Sequence, residues 1–131
     1  MTSTDKEILL SDLCARFPYT VCVYLDDKVT QIKEIKYDTR NEVYFTLVGG
    51  SKTYIGVDIE RIKPFLKSLK NMTPKEKMEY ERTLNILEDG LGTKLTYTSY
   101  YAIEWLNEHH FDFRGLIEKG LAIEAPKDMY K

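Results

Sequence analysis

From Thr20 to Ile59 the chain reads as short strand-forming runs separated by turn chemistry, and this stretch limits the fold more than any other. TVCVYL (20–25) is β-branched and aromatic, Asp26-Asp27 supplies a tight turn, and KVTQIKEIKY returns. In that second run Ile35 and Tyr37 alternate, but Ile32 has the opposite parity. This predicts either a bulge near Lys33-Glu34 or a strand buried on both faces. DTRN at 38–41 turns the chain again, and EVYFTLV sets Val43, Phe45 and Leu47 on one side. Gly49-Gly50 predicts a hairpin turn with positive φ values, after which KTYIGVDI places Thr53, Ile55, Val57 and Ile59 on a single face. The expectation is a four-stranded antiparallel meander over residues 20–60. Twisted meanders of this length also curl, so a closed SH3-like small barrel stands beside the open sheet as an alternative.

Helical signals flank the strands. Thr4 and Glu7 have capping-box spacing, and Ile8, Leu9, Leu13, Cys14 and Phe17 then share one face, which predicts a helix over 4–17 ended by Pro18. ERIKPFLKSL is expected to leave the sheet through Pro64 as an extended or 3₁₀ segment, with Ile62, Phe65 and Leu66 covering the open end. Thr73, Pro74 and Glu76 are an N-cap, a first helical position and a completed capping box, predicting a helix over 73–89 stopped by Gly90. A loop over 89–97 then leads to a helical C-terminal segment, 98–125. In it Ser99 caps a helix to about Glu108 with Ala102, Ile103, Trp105 and Leu106 inward, and LIEKGLAIEA forms a last short helix. The whole reads as a single α+β domain, 1–131, a length sufficient to bury one core without disulfides or metal.

Composition narrows the function classes. At 43% hydrophobic and 31% charged residues the chain is globular rather than disordered or fibrous. MTSTDKEILLSDL has no basic region leading into a long apolar run, and no stretch approaches the ~20 apolar residues of a spanning helix, so a cytoplasmic protein with no membrane partner is expected. Cys14 and Cys22 lie among apolar neighbours at a spacing that suits neither a redox pair nor a zinc knuckle, and are read as core residues. No Gly-rich phosphate loop, G-x-S-x-G elbow, HExxH or paired CxxC occurs, and no cofactor is implied. Residues 28–70 carry nine Lys/Arg against five Asp/Glu, a local +4 in a chain of net charge −2. That asymmetry is either a solvated sheet face or a nucleic-acid face on which Tyr37, Tyr44 and Tyr54 stack bases among Lys33, Lys36, Arg40 and Lys52.

The densest collection of potential ligands is WLNEHHFDFRGLIEKGLAIEA, 105–125. His109, His110, Asp112 and Arg114 follow a helix C-terminus. Two adjacent histidines lack the i, i+4 spacing that puts both on one helical face, so no metal site is assigned. The favoured reading is a polar corner: histidine satisfies the last carbonyls, Asp112 and Arg114 pair or bond turning backbone, and Phe111, Phe113 and Leu116 anchor the turn. A metal-dependent or acid-base enzyme centred on His109, His110 and Asp112, with Glu108 nearby, is the competing reading.

WLNEHHFDFRGLIEKGLAIEAPKDMY resembles the C-terminal signature of a family of small uncharacterised proteins of gut Bacteroidetes and of their phages and mobile elements. ILLSDLCARFPYTV, IKPFLKSLKNMTPKEKMEY and YYAIEWLN look like other blocks of that family. The resemblance implies a compact intracellular protein carried by mobile elements and transfers no catalytic residue. From the sequence, then, the expected function is a non-enzymatic module that binds a macromolecule, with protein favoured over nucleic acid and no catalytic residue assigned.

Overall fold

The computed structural model describes residues 1–38, 40, 42–85 and 94–130. It is an α+β structure: a helix α1 (Ser3–Arg16), strands β1 (Cys22–Leu25), β2 (Lys28–Tyr37), β3 (Val43–Gly49), β4 (Lys52–Asp58) and β5 (Ile62–Ser68), helices α2 (Pro74–Asn85) and α3 (Lys94–Glu108), and two-residue strands β6 (Phe111–Asp112) and β7 (Ile123–Glu124). The strands make one seven-stranded sheet in the order β4-β3-β2-β1-β5-β6, with β7 also on β5. Pairing is antiparallel from β4 through β5, whereas β6 and β7 run parallel to β5.

The sheet is open rather than closed into a barrel, and β4 pairs only β3 among the described residues. It is also larger than the expected four strands, because ERIKPFLKSL does not leave it: β5 lies along β1 with Pro64 opposite Val23. Proline fixes a φ that a strand accepts and biases the preceding residue to extended backbone, so it is no breaker here. Ile62 and Leu66 are fully buried in the strand itself.

Two bulges set which side chains face the core. The register of β2 against β3 shifts between Ile32 and Glu34, making Lys33 the extra residue and letting Ile32 and Ile35 both face inward. A second shift in β4 opposes Phe45 to Val57 but Leu47 to Tyr54. Gly56 sits there at φ +70, a left-handed conformation that suits glycine. The bulge corrects the expected single face of β4: Val57 and Ile59 are buried, and Ile55 is 80% exposed. The β3–β4 turn differs too. Only Gly50 has positive φ, while Gly49 ends β3, where an added Cβ would come within 3.0 Å of Thr30 Cγ2. Asp26 and Asp27 both take positive φ in the β1–β2 turn, and the Asp38 carboxylate accepts from the N–H groups of Arg40 and Glu42 at 2.8 and 3.0 Å.

In α1 the capping box is Thr2 with Asp5, not Thr4 with Glu7. Both pairs have the same spacing, and aspartate at the third helical position reaches back as glutamate does. The buried face is Leu9, Asp12, Leu13 and Arg16, which leaves Cys14 exposed against expectation. Leu9 and Leu13 pack onto Val21, Val23, Leu25, Ile32, Phe45, Leu47, Val57, Ile62 and Leu66 of the sheet layer, joined by Leu116, Leu121 and Ala122 from the C-terminal segment. A second cluster, Trp105, Leu106 and Phe111 with Met72, Tyr80 and Phe113, joins α2, α3 and β6.

Thr73 and Glu76 cap α2 reciprocally at 3.0 and 3.1 Å, as expected. Gly90, and the part of the expected loop before Lys94, lie outside the described residues. The helix α3 begins by Lys94 rather than at Ser99, and nothing in KLTYT breaks a helix. Its buried face holds Ala102, Trp105 and Leu106, but Ile103 is turned out. The expected last helix is absent: residues 115–120 make one turn, closed by Leu121 N–H on the Leu116 carbonyl at 2.9 Å, and the chain then enters β7. A single turn fixes many dihedrals for few hydrogen bonds, and Gly120 at positive φ ends it.

Candidate functional site

The helix α3 stops at Glu108 with its last carbonyls taken by the turn that follows. His109 N–H donates to the Trp105 carbonyl at 3.0 Å and His110 N–H to that of Asn107 at 3.1 Å. His110 has φ 61, the left-handed residue that swings the chain out of the helix. The two imidazoles go to different partners. His109 stacks on Trp105 (centroids 4.0 Å apart), with its Nδ1 2.9 Å from the Trp105 carbonyl and its Nε2 3.9 Å from Glu79 Oε2. A carbonyl only accepts, so Nδ1 carries the proton. His110 is 5% exposed and stacks on Tyr130, with centroids 3.8 Å apart.

The acids and bases of the corner are engaged with backbone or with α1. Asp112 accepts from the N–H groups of Leu116 and Ile117, both at 2.9 Å, and so caps the turn after it. Arg114 does not pair with Asp112; it donates to Asp12 Oδ1 at 2.6 Å. Asp12 Oδ2 accepts from Arg16 Nε at 2.9 Å, and Arg16 Nη2 donates to the Phe111 carbonyl at 2.6 Å. Asp12 and Arg16 are completely buried. An Arg–Asp–Arg chain therefore fastens the corner to α1. Its one trace in the sequence is the i, i+4 spacing of Asp12 and Arg16, which the apolar stripe read through Cys14 hides by turning that pair to solvent.

His110 is the exception at the corner. Its Nδ1 is buried without a hydrogen-bond partner among the described residues. Burial first, then the Arg16 and Lys67 charges, hold the ring neutral by lowering its pKa to about 4. Around it stand groups that no sequence pattern announced. The Tyr130 hydroxyl accepts from Cys22 N–H at 3.0 Å and donates to the Phe65 carbonyl at 2.8 Å, bridging β1 and β5. Burial pushes the Tyr130 phenol and the Cys22 thiol up. Tyr19 donates to Glu104 at 2.5 Å, a bond that raises its pKa to about 12. Lys67 meets Glu76 at 2.7 Å and lies 4.3 Å from the Phe111 ring centroid. Among the described residues no three of His, Cys, Asp and Glu are placed to hold a metal ion.

The residues singled out on the sheet separate into groups. Lys36, Tyr37 and Tyr44 come together on β2 and β3, where Lys36 is opposite Tyr44 and all three border a cavity of about 220 Å³ with Thr46, Ile55 and Gly56. Tyr54 pairs with Leu47 and packs against the core, 5.3 Å from Lys28 Nζ. Arg40 lies in the turn before β3 and Lys52 opens β4 opposite Gly49 at the other end of β3, roughly 20 Å apart for a strand of that length. Lys33 is the bulge residue of β2. Lys36 is held by Glu34 at 3.0 Å, and the Tyr44 hydroxyl by Glu42 at 2.6 Å.

No helix among the described residues is long and apolar enough to cross a membrane. Comparison with known protein families, curated proteins and solved structures finds no match for the chain. The resemblance drawn from the C-terminal signature rests on those residues alone.

Proposed function

We propose that this chain is a macromolecule-binding module that seats a protein partner on the outer face of β2, β3 and β4. The observation that carries the reading is Ile55, 80% exposed at the β4 bulge beside a cavity of about 220 Å³ walled by Tyr37, Tyr44 and Thr46. Tyr37 is itself 66% exposed. An isoleucine held against water next to two tyrosines is an apolar anchor, and each Å² that a partner removes from water contributes about 25 cal/mol. A protein is favoured over a nucleic acid because Lys36 is neutralised by Glu34 and Tyr54 packs inward, which breaks up the basic stacking face. Binding is favoured over turnover because Asp112, Arg114 and His109 are engaged with backbone and with Asp12. On the resemblance of the C-terminal signature, the partner is a host or phage protein.

The test is affinity capture from a host lysate by the wild-type chain and by Ile55→Lys, with nuclease added to both. The reading expects a discrete protein that survives nuclease and is lost with Ile55→Lys. Equal capture by both chains, or loss on nuclease treatment, overturns it.

A further inference from the structure

The two edges of the sheet differ. One ends in the two-residue strands β6 and β7, too short to template another chain. The other is β4, 7 residues long and paired on one side only among the described residues. Gly49 and Lys52 close the β3–β4 turn as a hydrogen-bonded pair, and antiparallel pairs alternate, so Thr53 and Ile55 aim their N–H and C=O groups away from β3. The bulge at Gly56 skips one position, which turns those of Asp58, opposite Tyr44, the same way. Unpaired ladder groups of this kind accept a further strand.

The residues along this edge select its own copy. Turned antiparallel about Ile55, a second β4 sets Ile55 against Ile55. With the bulge counted as one position, Tyr54 then meets Val57 and Thr53 meets Asp58, on both sides of the centre. The faces match: Thr53, Ile55 and Asp58 are exposed, whereas Tyr54 and Val57 pack toward the core. Without the bulge, exposed Thr53 would oppose buried Val57. Gly56 does not hold the strands apart, since nothing lies within 4 Å of where its Cβ would stand. Charge is complementary as well, because Lys52 of each copy stands beside Asp58 of the other, and both are exposed.

We propose that β4 pairs antiparallel with β4 of a second copy about a two-fold axis through Ile55, joining the two sheets into one. The same patch serves both copies, as a two-fold contact requires. The axis stands perpendicular to the sheet, so both outer faces look the same way and the two Ile55 side chains lie side by side. The pairing does not rest on a protein partner at that face and leaves it open. A contact a few residues long buries less than the roughly 1,200 Å² of a standard interface, so the dimer is reversible.

The experiment is sedimentation velocity of the purified full chain at concentrations up to about 1 mM. Wild type is expected to pass reversibly from monomer to dimer. Lys52→Glu or Asp58→Lys brings like charges together at both ends and weakens the dimer about tenfold. Mixing the two variants in equal amounts restores it, because the mixed pair again sets unlike charges together. Register is read by mild oxidation in a Cys14→Ser background, since Cys14 is exposed. Ile55→Cys, on the axis with Cα atoms ~5.5 Å apart, forms an interchain disulfide, and Thr53→Cys does not. A chain that stays monomeric throughout, a mixture no tighter than its components, or equal crosslinking at both positions overturns the proposal. Asp58 also accepts from the Glu60 N–H, and if Asp58→Lys does not fold, wild-type sedimentation and the two cysteine variants decide.

Discussion

Arg16 has no exposed surface, yet it donates to Asp12 and to the Phe111 carbonyl. Two arginines share the one carboxylate of Asp12, so its removal leaves buried positive charge uncompensated. Asp12→Ala is expected to destabilise the fold by about 3–5 kcal/mol in urea unfolding. His110 gives a pH dependence of known sign. Its folded pKa, about 4, lies below the ordinary histidine value of 6.5, so the unfolded chain binds more protons between the two. The stability it contributes is complete above 6.5 and is lost as pH falls through the folded value, a change of about 3 kcal/mol at 1.36 kcal/mol per pH unit. Carboxylates titrate in the same range, so the informative quantity is the difference between wild type and His110→Asn, whose stability curve should be flatter from pH 6.5 to 4.

Among the elements, those whose signals are local were legible in the sequence and those that depend on a distant partner were not. Thr73, Pro74 and Glu76 announce the start of α2 because a capping box is closed within four residues. The polar corner was legible for the same reason: His109 and Asp112 bond backbone within five positions of themselves. Arg114 was not, because its partner is 102 residues away. Ile62–Ser68 was not legible as a strand, since its hydrogen bonds come from β1 on one hand and from two-residue strands near the C-terminus on the other. Nor was Tyr130, whose hydroxyl stands in for ladder hydrogen bonds between Cys22 and Phe65. Tyr130→Phe keeps the ring on His110 but removes that bridge, leaving a buried N–H and a buried C=O unmatched. A loss of about 2 kcal/mol in thermal or chemical unfolding is expected.

At the scale of the whole molecule, the sheet has one face on α1 and the C-terminal turns and one face outward. The bulge at Gly56 decides what the outer face displays: in a regular strand Ile55 would share the buried side with Val57, and the extra residue moves it into solvent. An apolar group so placed gives nothing to the core, so Ile55→Lys should leave stability within about 0.5 kcal/mol of wild type. The central claim is that a protein partner covers it. The direct measurement places a photo-crosslinking residue at Tyr37, beside Ile55, and irradiates the chain in host cells. The account predicts a discrete protein adduct that disappears when Ile55→Lys is added. No adduct, or one of equal yield with Ile55→Lys, would contradict it.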